Sequence, residues 1–199
     1  MIPPALDCPR IVLASTSPYR RALLARLGLP FEVMAPGVNE AALPGEAARK
    51  TALRLAQAKA RAAAPSFPQS LVIGSDQVAE LDGTCLGKPG NHENAVAQLK
   101  DMRGKTVLFH TALALLNTAS GFMHTAEVPT AVQFRNYDER EIRRYLERER
   151  PYDCAGSAKI EGLGIVLVER VTGDDPSALI GLPLIQLTAM LRKEGVAIV

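Results

Sequence analysis

The chain has 199 residues, of which 47% are hydrophobic and 22% are charged. This balance excludes an intrinsically disordered protein, and the scattered 15 glycines and 14 prolines exclude a collagen-like one. The 23 basic and 21 acidic residues give a net charge of +2, which argues against a protein that coats nucleic acid non-specifically.

The predicted elements alternate between strands and helices along the chain. Apolar runs predict strands over 10–14, 31–34, 71–81, 84–86, 105–116, 122–134 and 163–169. Helical spacing predicts helices over 19–27, 46–64, 91–102, 138–148 and 184–193, the third beginning at Asn91 or Asn94. Turns at 82–83 and 118–121 make hairpins of the strands beside them. Neither a repeat nor a long linker interrupts this pattern, so we expect one α/β domain over 1–199 with a mixed sheet.

The cysteines and the N-terminal residues predict the compartment. Cys8, Cys85 and Cys154 are far apart and form no CxxC pair, which predicts free thiols rather than disulfides or a zinc site. Residues 1–7 lack the basic and apolar regions of a secretion signal, and no apolar run approaches the ~20 residues that span a bilayer. We therefore expect a cytoplasmic protein without a membrane partner.

The first candidate site lies where the first strand meets the first helix. Ser17 is expected to cap this helix and Pro18 to be its first residue. The free N–H groups of the helix would then bind an anion, with Ser15 and Arg20 beside it. Spacing alone favours the simpler interpretation of a capped helix with solvated arginines.

Further candidates are charged residues in unusual settings. Asp76 interrupts an apolar strand and would be costly to bury unless it is paired or metal-bound, although a surface-facing carboxylate fits the pattern equally well. Lys59 lies among alanines and Lys88 on a tight turn, where most lysines face solvent. Glu40 lies in a Pro/Gly-rich loop, and segment 154–162 has the small residues expected where backbone approaches a ligand.

Together these candidates are the residue types that a site for a nucleotide and a metal requires. Carboxylates bind a hard cation through oxygen, and basic side chains neutralise phosphate charge as the bond breaks. Neither a P-loop nor a Rossmann glycine motif follows a strand, and no GxSxG motif of a serine hydrolase occurs.

Several motifs in order resemble the Maf family of nucleoside-triphosphate pyrophosphatases. They are LASTSPYRRALLARLG at 13–28, VNE at 38–40, LRLAQAKA at 53–60, VIGSDQV at 72–78, LGKP at 86–89 and IGLPL at 180–184. The resemblance implies a mixed, strongly twisted sheet with flanking helices, forming two lobes around a deep cleft as in Maf and Ham1 proteins. It also implies a divalent metal, Mg²⁺ or Mn²⁺, and cleavage of a nucleotide between its α- and β-phosphates.

The same resemblance implies a role for each candidate residue. Asp76 would be the general base that activates water, and it would hold the metal together with Glu40. Asn39 stands where the family usually carries an acid, which implies one weaker metal contact. The residues implied to bind the phosphates are Ser15, Arg20, Lys59 and Lys88.

Within the family, the chain is similar to the branch that hydrolyses 7-methyl-GTP. The branch acting on dTTP and UTP typically carries Arg, Thr and Gln at the positions of Tyr19, Gln77 and Glu161. An aromatic ring and a carboxylate favour a base that carries a positive charge, whereas an arginine would repel it. Relatives in this branch carry Trp at the Tyr19 position, so the resemblance does not fix which base this chain prefers.

Two other functions remain open from the sequence. One is a pyrophosphatase of the same fold that acts on dTTP, UTP or another modified nucleotide. The other is a non-catalytic nucleotide-binding regulator of cell division. The expected partner is a small-molecule nucleotide and not a nucleic acid polymer, with a homodimer left open. Helix 138–148 balances acids and bases, which predicts a solvated face.

Overall fold

Seven strands form one mixed sheet in the computed structural model, which describes residues 9–199. The strands are β1 (Arg10–Ala14), β2 (Phe31–Met34), β3 (Ser70–Leu81), β4 (Thr84–Leu86), β5 (Thr106–Asn117), β6 (Met123–Phe134) and β7 (Val168–Gly173). The helices are α1 (Pro18–Ala25), α2 (Ala48–Ala63), α3 (His92–Met102), α4 (Glu139–Glu149) and α5 (Leu184–Lys193). Short 3₁₀ turns cover Ala64–Ser66, Ala155–Ser157 and Leu163–Leu167. The predictions for Cys8 and residues 1–7 lie outside the described residues.

Strand β3 is the centre of the sheet and is interrupted along one of its edges. The strand order is β2-β1-β3-β5-β6-β7, with β4 also paired to β3. One edge of β3 pairs with β5 continuously from Leu71 to Glu80. The opposite edge pairs with β1 up to Ile73 and with β4 from Ala79 onwards. Residues 74–78 therefore have no strand on that edge within the described chain, which leaves a gap in the sheet.

Helices cover the two faces of the sheet and divide the core into two lobes. Helices α1 and α5 pack on one face against alternate residues such as Leu13 and Ile73, while α2 packs on the other face against Val12 and Val72. At the far ends of the long strands, α3 and α4 enclose a separate apolar cluster around Phe109. The gap in β3 lies between these lobes. The predicted mixed α/β sheet with flanking helices and two lobes is thus confirmed.

Small residues bring α2 unusually close to β3. The helix buries Ala52, Ala56, Ala60 and Ala63 against the sheet. A Cβ atom added to Gly74 would lie 2.1 Å from the carbonyl oxygen of Ala56, so only glycine fits there. This contact fixes the distance between the helix and the central strand, because neither backbone can withdraw without opening the packed core.

The ends of most elements agree with the sequence-based prediction. Ser17 caps α1 by accepting a hydrogen bond from the Arg20 amide, and Pro18 is the first helical residue. Asn91, rather than Asn94, caps α3, because its side chain accepts the Asn94 amide at 2.9 Å. Helix α2 begins at Ala48 and not at 46, since the Glu46 carboxylate instead accepts the Leu43 amide and the Arg54 guanidinium.

One predicted strand is wrong. Residues 163–169 were expected to be extended, but Leu163–Leu167 form a 3₁₀ helix and the strand begins only at Val168. The Gly164 amide donates to the carbonyl of Lys159, and a Cβ atom on Gly164 would lie 2.5 Å from that oxygen. An apolar run does not distinguish a strand from such a tight turn, and the glycines allow the turn.

Other predictions concern the thiols and the charged helix. Cys85 and Cys154 are free, as predicted. Helix α4 buries Ile142, Tyr145 and Leu146 and leaves most of its charged side chains in solvent, so the predicted solvated face is confirmed. Among the described residues, every helix is too short or too polar to cross a bilayer.

Replacing Gly74 with alanine should destabilise the fold. The added methyl group meets the Ala56 carbonyl and the Ala60 amide, both of which are backbone atoms inside the core. Overpacking of this kind costs about 1–3 kcal/mol or more in the free energy of unfolding, which denaturant titration measures. Gly87→Ala is the matched control, because a Cβ atom at Gly87 has nothing within 4 Å. Equal stabilities for the two variants would contradict the close approach.

Candidate active site

A cleft of about 830 Å³ opens beside the gap in β3. Its walls come from the start of α1, the loop after β2, α2, the middle of β3 and the segments around 155 and 180. All nine residues singled out from the sequence line this one cavity: Ser15, Tyr19, Arg20, Glu40, Lys59, Asp76, Gln77, Lys88 and Glu161. The structure therefore gathers side chains that lie up to 146 positions apart in sequence into one place, while their individual roles stay predictions.

The cleft lies where connections from neighbouring parallel strands leave for opposite faces of the sheet. Strand β1 is parallel to β2 and β3, α1 packs on one face, and α2 packs on the other. Ligands of α/β proteins bind outside the carboxyl ends of strands at such positions. Here the carboxyl end of β1 leads into Ser15 and the N-terminus of α1. Pro18 has no N–H, and the Ser17 and Arg20 amides donate to Ser15 Oγ and Ser17 Oγ, so the Tyr19 N–H and the helix dipole are what this end of α1 offers an anion.

Arg20 is held in place by the protein before any ligand binds. Its Nε donates to the Gly181 carbonyl at 2.8 Å, and its Nη1 lies 3.4 Å from Ser15 Oγ. The same Gly181 carbonyl lies 2.9 Å from Ser75 Oγ, which faces it from β3. Burial lowers the pKa of Arg20, and the carboxylates of Asp76 and Glu40 oppose that shift. Since arginine stays charged in proteins, the result is an oriented cation in the cleft.

Lys59 joins two carboxylates at the floor of the cleft. Its Nζ lies 2.7 Å from Asp76 Oδ1 and 2.5 Å from Glu40 Oε1. The Lys59 and Asp76 side chains are only 5% and 10% exposed, whereas that of Glu40 is 53% exposed. The sequence-based alternatives of a solvent-facing lysine and a surface-facing Asp76 are therefore wrong. The close packing of α2 on Gly74 explains why both side chains are buried, because it brings the helix face that carries Lys59 against β3.

The electrostatics of this group differ between its two acids. Burial raises the pKa of Asp76, and the charges of Lys59 and Arg20 limit the rise. Burial also raises the pKa of Glu40, but the hydrogen bond and charge of Lys59 outweigh it, so the net pKa is below its usual value. The raised pKa makes Asp76 a better proton acceptor than an ordinary aspartate.

The donor set fits a cation that completes its coordination with other ligands. Two carboxylates share the Lys59 ammonium, so their oxygens lie close together. No group of three or more His, Cys, Asp or Glu suitable for a metal occurs within residues 9–199. Magnesium is commonly bound by one or two carboxylates together with water and substrate phosphates. Asn39 does not line the cleft, since its side chain accepts the Ala41 amide at 3.0 Å.

Gln77 is fixed by contacts within the protein. Its Nε2 lies 2.9 Å from Thr111 Oγ1 and within 3.1 Å of the carbonyl oxygens of Ala178 and Leu179. The amide was expected to offer a ligand both a donor and an acceptor, but these contacts occupy its donor group. The side-chain carbonyl oxygen of Gln77 remains to accept a hydrogen bond from a ligand. The side-chain NH₂ group links β3 to the segment that carries Gly181.

Tyr19 lies near two acidic residues of the cleft lining. Tyr19, Asp153 and Glu161 all line the cavity, and both carboxylates are exposed to it. The Lys159 ammonium lies 5.6 Å from the centroid of the Tyr19 ring and 2.7 Å from Glu149 Oε1. Burial raises the pKa of Glu161, and Lys159 opposes that rise. This part of the cleft therefore combines an aromatic ring with negative charge, which suits a ligand group that is flat and cationic.

Some residues of the site were missed from the sequence. Gly181 belongs to the IGLPL motif, and its φ of +121° excludes other residues, so the motif carried a usable signal. Asp153 precedes the small-residue segment by one position and could have been included with it. Glu149 gave no signal, because a glutamate on a helix rich in alternating charges is indistinguishable from its solvated neighbours.

Comparisons with known proteins identify the family of the chain. The family model described as Maf-like protein matches residues 10–194. Proteins named 7-methyl-GTP pyrophosphatase from Thiobacillus denitrificans and Polaromonas sp. are 60% and 59% identical, each over 94% of this chain and over 94% and 86% of their own length. A protein of the same name from Pseudomonas aeruginosa is 55% identical over 96% of this chain and 99% of its own.

Among solved structures, the Ham1 protein of Staphylococcus aureus is similar over 64% of this chain and 72% of its own. It shares 16% sequence identity with this chain, and the TM-score is 0.46. The family assignment rests instead on the match over 10–194 and on the relatives above 55% identity. The chain belongs to the Maf family.

Proposed function

We propose that the chain is a nucleoside-triphosphate pyrophosphatase that hydrolyses 7-methyl-GTP to 7-methyl-GMP and pyrophosphate. The observation that carries the proposal is the polarity of the cleft. Lys59, Lys88 and Arg20 lie near Glu40, whereas Asp153 and Glu161 lie near Tyr19. A 7-methylguanine nucleotide has the matching polarity, since its base is cationic and its triphosphate is anionic. The names of the relatives at 55–60% identity support the same substrate.

The phosphates would bind at the N-terminus of α1. The Tyr19 N–H and the Ser15 hydroxyl face this region, and the guanidinium of Arg20 is already oriented there by Gly181. A guanidinium can donate two parallel hydrogen bonds to a phosphate. Lys59 uses two of its three N–H donors on carboxylates, which leaves one for a phosphate oxygen.

The base would bind between Tyr19 and the acidic side chains. A cation over an aromatic face gains about 0.5–2 kcal/mol, the larger value applying to desolvated pairs. Glu161 would accept hydrogen bonds from the guanine edge and offset its positive charge, and the Gln77 carbonyl oxygen lies in the same cleft. An arginine in place of Tyr19 would repel this base, which is the physical reason that the proposal favours 7-methyl-GTP over dTTP and UTP.

Asp76 would act as the general base. A water molecule attacks the α-phosphorus, its proton passes to the Asp76 carboxylate, and the bond to the β-phosphate oxygen breaks to release pyrophosphate. The raised pKa of Asp76 makes it a stronger proton acceptor, while Lys59 keeps it ionised and fixes its orientation. Lys59 and Lys88 would then stabilise the charge on the departing pyrophosphate.

Glu40 and Asp76 would hold the divalent cation, Mg²⁺ or Mn²⁺. When bound, such a cation neutralises phosphate charge as the anhydride bond breaks. Glu40 suits this role because it is the exposed member of the pair and because its lowered pKa keeps it ionised.

A nucleotide panel assayed for pyrophosphate tests the proposal. With Mg²⁺ present, 7-methyl-GTP should be hydrolysed with a higher kcat/KM than GTP, dTTP or UTP, because only its base is cationic. A chelator should abolish release from every nucleotide. Equal rates for all four would remove the assignment of substrate, and binding without any release would favour the non-catalytic regulator.

Asp76→Asn should separate binding from chemistry. The variant keeps the shape of the side chain but removes its proton acceptor, so turnover should fall about 10²–10⁴-fold, the usual contribution of a general base. Nucleotide affinity measured by calorimetry should change little, because Arg20 and Ser15 are untouched. Asp82→Asn makes the same chemical change in an exposed turn outside the cleft, where Asp82 pairs with Lys105, and it should retain full activity. Wild-type turnover in Asp76→Asn would show that the general base lies elsewhere.

A further inference from the structure

A second ion pair lies next to Tyr19. In it, Glu149 of α4 binds the ammonium of Lys159. Glu149 Oε1 lies 2.7 Å from Lys159 Nζ, and Glu149 Oε2 accepts the Leu163 amide at 2.8 Å. The Lys159 backbone amide donates to the Tyr145 hydroxyl at 3.0 Å, also from α4. Both ends of Lys159 are therefore fixed by the same helix, which makes its ammonium position a property of the fold.

The position of that ammonium matters because of Tyr19. Tyr19 lines the cleft, whereas neither Lys159 nor Glu149 does, and the ammonium lies 5.6 Å from the centre of the Tyr19 ring. A ring that already attracts one cation would then have to accept a cationic base in the cleft. The two positive charges would repel each other across the ring unless the first is compensated.

Glu149 supplies that compensation at hydrogen-bond distance. Its hydrogen bond raises the pKa of Lys159 above the usual range, against a smaller effect of burial. The bond to Lys159 also lowers the pKa of Glu149. Both groups are consequently charged at neutral pH and cancel, which leaves Asp153 and Glu161 as the net charge that faces the base.

We propose that Glu149 is a positioning residue for base selection: by neutralising Lys159 beside Tyr19, it allows the cleft to prefer a cationic base over the neutral base of the same shape. The inference deepens the proposed function and rests on it for the identity of the base. Glu149 itself does not touch the substrate, and its effect passes through Lys159 and the ring.

The test compares the dissociation constants of 7-methyl-GMP and GMP, which differ in one methyl group and one charge. Measurements are made at mildly acidic pH, where the methylated base keeps its positive charge, in wild type and in Glu149→Gln. The variant keeps a hydrogen-bond acceptor but leaves Lys159 uncompensated. We expect the preference for 7-methyl-GMP to fall about three- to tenfold, the scale of one unit charge acting across a partly solvated site.

Two further variants separate charge from structure. Glu147→Gln makes the same change on the exposed side of α4 and should leave the preference unaltered. The double variant Glu149→Gln with Lys159→Met removes both charges and should restore it. Added salt should reduce the difference in nucleotide preference between wild type and Glu149→Gln, because screening weakens charge interactions.

An unchanged preference in Glu149→Gln, or a loss that the double variant fails to restore, would overturn the inference. Equal binding of the two nucleotides by the wild type would overturn it as well. Failure of the proposed reaction is visible separately, as absence of pyrophosphate release from 7-methyl-GTP by a wild type whose binding preference still follows Glu149.

Discussion

The site depends on one buried charge, the ammonium of Lys59 between Asp76 and Glu40. A carboxylate in the middle of a sheet is destabilising unless it is paired, and removing one partner of a buried pair typically costs about 3–5 kcal/mol. Lys59 makes an ionised Asp76 possible at this position. The pair is only tolerable because α2 lies close enough for a lysine stem among alanines to reach β3, which Gly74 allows.

The second constraint is the gap along β3, which turns that charge pair into an accessible site. Strand β1 leaves the edge of β3 after Ile73 and β4 joins it at Ala79. A continuous strand there would have covered Asp76. The gap instead lets Asp76 line the same cleft as the N-terminus of α1 and Lys88. The carbonyl of Gly181 adds to this arrangement by orienting Arg20 within the cleft.

Periodicity predicted most of the fold, because strands, caps and turns are encoded locally, whereas the nine candidate residues that line the cleft followed from the resemblance to the Maf motifs. What could not be predicted depends on contacts between distant segments. The pairing of Lys59 with two acids requires the close approach of α2, and the occupied amide of Gln77 requires the segment around 178. The wrong strand at 163–169 has the same origin, since Glu149 on α4 accepts the amide of Leu163 and stabilises a turn there.

We infer that Lys59 keeps Asp76 ionised inside the fold. The most direct measurement is the pKa of the Asp76 carboxyl by carbon NMR in the metal-free protein and in its Lys59→Met variant, which keeps an apolar stem but loses the charge. Burial raises this pKa and Lys59 lowers it, so the variant should show a clearly higher pKa than wild type. An unchanged or lower pKa in the variant would contradict the account.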